Sequence, residues 1–390
     1  MKMKQWLWMG ALLWLVSCSK SDTPGPDPVI IPPIPHVPSD TLVMSVIDDD
    51  INAFISKHNV PGLSLAIVKD GKLVYAKGYG YGDKETSQKV TTISQFRLAS
   101  LSKWITSATI MRLIDQGRLS FNEKVFGPGS VLGTDFGTSP YAGNINNITV
   151  EQLLHHTGGG WGNSSNDPMF REAQLNSDDL LSFVLDNRPL SSTPGTQLDY
   201  SNIGYFILSH IIQKITNQDY QRYVTDTILK PMGITDMTMA ATSLSGRKPN
   251  EVKYYGTSPY NYGEGTIARS MGAGGWLGTT TDLMRFIVRV DGSNTVPDII
   301  SSSTLALMSS RTAASGGYAC GFMVSSNGNW YHGGTYNGSR NWMVKTATGF
   351  AWAILINTTA SSTAFNTDLD RLVWPAVNNP STPWPDRDLF

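Results

Sequence analysis

Strand-forming sequence is confined to the two ends of this chain, and that separation constrains its fold more than any other feature. Near the start, residues 64–68 and 73–78 flank Lys69-Asp70-Gly71-Lys72, and Asp-Gly between two β-prone runs signals a type I′ hairpin. Near the other end, 318–325, 330–333 and 342–345 are short strand-like runs with Asn327-Gly328 as a second tight turn, and 350–357 adds a further strand. A helix at the front carries Val43, Ile47, Ile51 and Phe54 on one face and ends at Pro61-Gly62, while a closing helix carries Phe365, Leu369, Leu372 and Val373 on one stripe. The middle holds helical patterns at 150–155, 177–185, 202–215 and 220–229, separated by loops rich in Gly, Ser and Asn. The fold class expected is therefore α/β (α+β): one domain from residues 41–136 and 265–376, a mainly helical inserted domain over 137–264, and a C-terminal tail over 377–390. Strand order does not follow from the sequence.

Nothing covalent staples this fold. Of the two cysteines in the 390 residues, Cys18 sits in an apparent processing segment, so Cys320 has no partner for a disulfide. Cys320 lies in the Gly-flanked run Gly316-Gly317-Tyr318-Ala319-Cys320-Gly321-Phe322 and reads as a small buried thiol. The core must carry the stability, and 40% apolar content allows a sizeable one. Lys2 and Lys4 precede an apolar run over 6–16 that ends in Leu15-Val16-Ser17-Cys18, which resembles a bacterial lipobox. Residues 1–18 are expected to be a lipoprotein signal peptide acylated at Cys18, and 19–40 a Pro-rich tether; an ordinary signal peptide with a chance cysteine is the competing reading. The expected location is the bacterial cell envelope, on the periplasmic or outer-surface side of a membrane, with membrane contact through the lipid alone. With Lys+Arg at 30 against Asp+Glu at 31, no basic field exists to hold nucleic acid. A monomer is expected, and no cofactor is implied.

The chemistry concentrates at three places. Ser100-Leu101-Ser102-Lys103 opens a helix-compatible run that stops near Gly117. Lys103, three residues after Ser100, projects from the same face about one turn on. A neutral Lys103 can take the serine proton, and the helix N-terminus favours the developing alkoxide. Ser-x-x-Lys also occurs at Ser17 to Lys20 and at Ser245 to Lys248, but the first straddles the signal segment and the second lies between Gly246 and Pro249. The second place is Tyr200-Ser201-Asn202, the only Tyr-x-Asn in the chain, just before a helical run. A phenol near an ammonium is a plausible base for the serine and acid for a leaving group, and Asn202 can hold both Lys103 and a substrate carbonyl. The third is His332-Gly333-Gly334-Thr335, where paired glycines let a substrate backbone approach a strand edge and the Thr335 N–H can join that of Ser100 as an oxyanion hole.

These motifs, in this order, resemble the serine β-lactamase and penicillin-recognising superfamily, in its branch of class C β-lactamases, D-alanyl-D-alanine carboxypeptidases and esterases. Val60-Pro61-Gly62, Lys77-Gly78-Tyr79-Gly80, Phe96-Arg97-Leu98-Ala99, Leu153-Leu154-His155-His156-Thr157-Gly158-Gly159 and the stretch from Gly274-Gly275-Trp276 to Asp282-Leu283 extend the resemblance over about residues 42 to 375. It implies an antiparallel sheet flanked by helices, Ser100 as acylated nucleophile, Lys103 as its partner, Tyr200 as general base and acid, and Asn202, His332, Gly333, Gly334 and Thr335 around a small-molecule or peptide acyl substrate. The chain departs from the class C pattern at the third motif, where His332 stands in place of lysine. Loss of that permanent cation leaves room for esters or peptides.

Competing classes are distinguishable. A β-lactamase or D-alanyl-D-alanine carboxypeptidase would share the nucleophile but prefer carboxylate-bearing substrates. A binding module that traps β-lactams or cell-wall peptides would acylate and stay acylated, and a structural surface lipoprotein would need none of the three motifs. The pair His155-His156 lacks a third ligand at metal spacing, so no metal site is expected. No Gly-x-Ser-x-Gly elbow supports the α/β-hydrolase alternative.

Overall fold

The computed structural model describes residues 44–163, 167–256, 266–360 and 362–390; the signal segment, Cys18, the first Ser-x-x-Lys and the tether lie outside them. The two ends of the chain meet in one antiparallel sheet. Strands β1 (Gly62–Lys69), β2 (Lys72–Asp83), β3 (Gln88–Lys89), β7 (Met323–Val324), β8 (Trp330–Tyr336), β9 (Ser339–Lys345) and β10 (Phe350–Ile356) take the order β3-β2-β1-β10-β9-β8-β7. The central pairing joins β1 to β10, with Leu65 opposite Ile354. Asp70 and Gly71 both have positive φ, 49° and 78°, as a type I′ turn requires. A second small sheet, β4 (Phe96–Arg97), β6 (Trp276–Gly278) and β5 (Thr238–Met239) in the order β4-β6-β5, carries no alternation long enough to read in advance.

Both faces of the large sheet are covered, which is why β1 is buried along nearly its whole length. Leu63, Leu65 and Ile67 of β1 and Trp352, Ile354 and Ile356 of β10 meet the helices Ser45–His58, Thr363–Arg371 and Trp374–Asn378 on the outer face. The alternate residues Ala66, Val68, Ala351, Ala353 and Leu355 face a larger core shared with the helical middle of the chain. Through that core runs the helix Ser102–Asp115, whose residues from Ser102 to Met111 are all buried. Trp104 on it stacks on Phe322 at 4.3 Å, and Phe322 stacks on Trp330 of β8 at 4.6 Å.

The helices of the middle follow their expected spans: Val150–Leu154, Ser177–Asn187, Asn202–Thr216 and Tyr220–Val224, the last continued by a π turn, Thr225–Leu229. One expectation is corrected. The run 318–325 is not a strand except at Met323–Val324, because Gly316, Gly317 and Gly321 all have positive φ and fold it into a loop. A Cβ on Gly321 would stand 2.8 Å from the Lys103 carbonyl oxygen, so the loop is pressed onto the buried helix where only glycine fits. The expected tail also folds back, with the Leu389 N–H donating to the Leu73 carbonyl and Asp388 accepting from the Leu73 N–H.

Candidate active site

Ser100 sits in a single 3-10 turn, Ala99–Leu101, that feeds directly into the helix Ser102–Asp115, and no side chain caps either. The turn begins at Ala99 with φ +50°, a left-handed conformation costly for a residue with a Cβ and held only where the surroundings insist on it. Those surroundings come from β9. Ser339 Oγ donates to the Arg97 carbonyl at 2.9 Å, and the buried Asn341 amide donates to the carbonyls of Arg97 at 2.8 Å and Leu98 at 3.2 Å. From β8, a Cβ on Gly334 would lie 2.4 Å from the Leu98 carbonyl oxygen. The second glycine of the third motif therefore lets the protein's own strand close on the nucleophile turn, and Gly333, whose added Cβ would meet the Trp342 ring at 3.0 Å, faces the other side. This gives the pair a role in packing beside the expected approach of a substrate.

Lys103 is fully buried with three partners and no carboxylate in direct contact. Its Nζ lies 3.2 Å from Ser100 Oγ, 2.9 Å from Asn202 Oδ1 and 2.7 Å from the Ala273 carbonyl oxygen. Burial pushes its pKa down to about 7, against a partial upward pull from Asp167. The two oxygens opposite Asn202 and Ala273 only accept, so a neutral amine spends its two hydrogens on them and turns its lone pair to Ser100. The Asn202 orientation is fixed in turn, because its amide nitrogen donates to Asp167 Oδ2 at 3.0 Å. Asp167 is itself buried and accepts from the Met169 N–H at 2.9 Å; burial raises its carboxyl pKa, while these hydrogen bonds and the charge of Lys103 oppose the rise.

Tyr200 completes the centre. Its phenol faces the side chains of Ser100 and Tyr318, and burial drives its pKa above the ordinary tyrosine value. Lys103 Nζ lies 5.0 Å from its ring centroid. Behind it, the His156 ring stands at 4.2 Å and the His332 ring, nearly parallel, at 6.0 Å. His156 accepts the Ser201 N–H at Nδ1, 3.1 Å away, and burial together with Lys103 holds its pKa well below the usual histidine range. His332 is likewise buried, its pKa pulled down to about 3 by burial and then by Lys103, so the imidazole is neutral.

Ser100, Asn202 and Thr335 border one cleft with Ala99, Phe170, Ser270, Ala273, Gly274 and Tyr336. Among the described residues that border it none is charged, but the Arg340 guanidinium donates to the Thr335 hydroxyl at its edge. Phe170 is 46% exposed there, its ring 6.1 Å from that of Tyr336. Ser100, Lys103, Tyr200, Asn202, His332, Gly334 and Thr335 gather at this centre, with Ser100, Asn202 and Thr335 bordering the cleft and His332 behind Tyr200; Gly333 faces away, and Cys18 lies outside the described residues. The Ser245 to Lys248 decoy falls in a separate exposed turn, Leu244–Gly246.

Sequence reasoning missed Asp167, Tyr318, Asn341 and the Ala273 carbonyl. Asp167-Pro168 was readable as a helix cap and does cap Pro168–Arg171, but nothing local ties it to Asn202. Tyr318 was passed over as strand. His155, half of the His-His pair, is tied between the Glu151 and Ser310 carbonyls at 3.1 Å each. Among the described residues no group of three or more His, Cys, Asp or Glu is placed to hold a metal, and no helix is long and apolar enough to cross a membrane.

Comparison with known proteins places this geometry. Protein flp of Staphylococcus aureus (strain N315) is 34% identical over 200 residues, covering 50% of this chain and 38% of the relative. A putative D-alanyl-D-alanine carboxypeptidase of Escherichia coli (strain K12) is 30% identical over 210 residues, covering 49% of this chain and 46% of that one. The chain thus matches less than half the length of either relative. Among solved structures, the octameric penicillin-binding protein homologue from Pyrococcus abyssi aligns with TM-score 0.69 at 21% identity, over 88% of this chain and 80% of its own. The D-amino acid amidase from Ochrobactrum anthropi SV3 in complex with D-phenylalanine aligns with TM-score 0.69 at 20% identity, over 86% and 99%. The family model described as Beta-lactamase matches residues 47–373, from the first described helix to the closing one, and the chain belongs to that family.

Proposed function

We propose that this protein is a serine acyl hydrolase that cleaves an ester or amide through a covalent acyl-Ser100 intermediate, acting as an esterase or peptidase. The observation that carries the reading is Lys103, fully buried, 3.2 Å from Ser100 Oγ, with a pKa brought down to about 7. In the neutral state its lone pair takes the Ser100 proton as Oγ attacks the carbonyl carbon. The oxyanion then rests on the backbone N–H groups of Ser100 and Thr335. Tyr200, kept protonated by burial, gives its proton to the departing oxygen or nitrogen as the carbonyl re-forms, and recovers one from the Lys103 ammonium by way of the cleft. Water attacks the acyl-enzyme, the same groups move its proton, and Ser100 is released.

The neutral His332 offers no counter-ion at the third motif, which supports esters and amides as substrates, while the Arg340 guanidinium, donating to the Thr335 hydroxyl at the edge of the cleft, keeps a carboxylate-bearing substrate in the test. The name of the Escherichia coli relative keeps a D-alanyl-D-alanine peptide in the test. A panel of a short-chain aryl ester, a chromogenic cephalosporin and a D-alanyl-D-alanine peptide is read with the parent protein and with Ser100→Ala. Ester turnover that disappears in Ser100→Ala is the expected result; turnover that survives the substitution overturns the mechanism. A lasting mass adduct of the penicillin nucleus on Ser100 without turnover would make the protein a trap. We also infer that the chain is exported and anchored at the cell envelope by an acylated Cys18, supported by the Leu15-Val16-Ser17-Cys18 sequence.

A further inference from the structure

We propose that Arg269 is a positioning residue that joins two walls of the cleft, and that through this joint it sets where Asp167 stands relative to Lys103. The inference rests on the acyl-Ser100 reading above and deepens it by naming what holds the base in its working state.

The two neutral acceptors on Lys103 come from separate stretches of chain. One is the Ala273 carbonyl, near the end of Thr266–Gly274, a stretch whose helical course breaks at Met271 with φ +36°. The other is Asn202, whose amide is held by Asp167 at the start of the one-turn helix Pro168–Arg171. A single turn closes too few bonds to stand alone, so contacts from outside must fix its place. Arg269 supplies them. Its buried guanidinium donates to three carbonyls of the stretch that follows Asp167: from Nη1 to Glu172 at 2.6 Å and to Leu175 at 2.7 Å, and from Nη2 to Met169 at 2.5 Å. A planar fork with five donors suits this task better than the point charge of an ammonium.

The grip falls between two features of the site. Asp167 accepts the Met169 N–H at Oδ1, 2.9 Å away, and the Asn202 amide at Oδ2, 3.0 Å away. Met169 is thus held at its N–H by Asp167 and at its carbonyl by Arg269. Phe170, next in sequence, borders the cleft together with Ser270, Ala273 and Gly274, which follow Arg269 itself. One side chain therefore spaces the walls and seats the carboxylate. The charges agree with the geometry. Burial raises the Asp167 pKa and Arg269 is among the groups that oppose the rise; Asp167 in turn draws the Lys103 pKa upward against burial. The other titratable groups that face Lys103, namely Tyr200, Tyr205, His156 and His332, are kept neutral by burial. A shift of the segment is therefore felt at Lys103 through Asp167.

The pH–rate profile of kcat/KM for the aryl ester tests this, with the melting temperature of each variant beside it. Arg269→Met releases the segment and removes a charge that keeps Asp167 ionised. The Lys103 pKa then falls further, and the limb near pH 7 should move to lower pH by about half a unit or more. The plateau should drop about tenfold to a hundredfold, the scale of loss from a displacement of about 1 Å, and KM should rise as the Phe170 wall moves. Arg269→Lys, which keeps the charge but not the fork, should fall between Arg269→Met and the parent in both readings. Asp167→Asn should move the limb the same way. Arg269→Met/Asp167→Asn should leave it where Asp167→Asn alone puts it, because both act on Lys103 through one carboxylate. A lowered melting temperature with the limb unmoved would make Arg269 a support of the fold alone and overturn the proposal, as would a double variant whose limb shifts add. If Arg269→Met does not fold, Arg269→Lys decides by its limb: a shift to lower pH upholds the proposal and the parent's position overturns it. A parent with no limb near pH 7, or with turnover that survives Ser100→Ala, would instead remove the reading on which the inference rests, and the inference with it.

Discussion

Lys103 carries the clearest consequence at the scale of single residues. A lysine taken out of water and given only neutral acceptors loses its preference for the charged form, and here the pKa falls from 10.5 to about 7. The sign for activity is direct: below that value the ammonium has no lone pair for the Ser100 proton, and above it the amine does. We expect kcat/KM for an uncharged ester to rise with pH through about 7 and then level, as read from a pH–rate profile in constant ionic strength. A profile flat between about pH 5 and 9 would assign the proton to another group. Asp167 shapes that limb through space, since its charge pulls the lysine pKa upward against burial. The residues that bear chemistry were legible in advance because their types and spacing are unusual. Asp167, Asn341 and Tyr318 were not, because each is an ordinary residue in a loop or strand whose importance comes from what lies opposite it in space.

Among the elements, β8 and the nucleophile turn form the joint on which the site depends. The approach is set by Gly334, where a methyl group would stand 2.4 Å from the Leu98 carbonyl. Gly334→Ala must push the strand and the turn apart, and overpacking of this kind costs about 1–3 kcal/mol. A lowered melting temperature is expected together with an activity loss larger than that destabilisation explains, because the Thr335 N–H moves with the strand; an unchanged kcat would show that the joint tolerates displacement. The hairpin β1–β2, the closing helix and the four middle helices were readable from periodicity and turn residues. The run 318–325 misled because alternating apolar residues look like a strand, while Gly316, Gly317 and Gly321 break it with positive φ and Gly321 presses on the distant helix Ser102–Asp115. The small sheet of β4, β5 and β6 escaped because two or three residues per strand leave no period to detect.

Among the described residues a seven-stranded sheet carries a helical layer on each face, and the helices Ser45–His58 and Thr363–Arg371 lie together on the outer one. Phe54 and Phe365, from the first and last of its long helices, meet at 5.1 Å, and Lys57 and His58 both pair with Asp368 at 2.7 Å. The catalytic cleft lies on the opposite side of the sheet, among residues of the larger core. Lipid attachment is tested by expressing the parent and Cys18→Ser in a bacterial host supplied with labelled fatty acid. The parent should take up label and sediment with membranes, and the variant should lose both; equal partitioning of the two would sink the anchor.

The order in which the sheet is assembled has a further effect on the life of the protein. The first strand of the large sheet, β1, pairs with β10, and the turn at Ser100 needs Asn341 and Gly334 from β9 and β8. A ribosome that has already released the serine and lysine has still to deliver the strands that clamp them. Under the proposed mechanism the growing polypeptide stays inert until β8 and β9 have closed on the turn at Ser100.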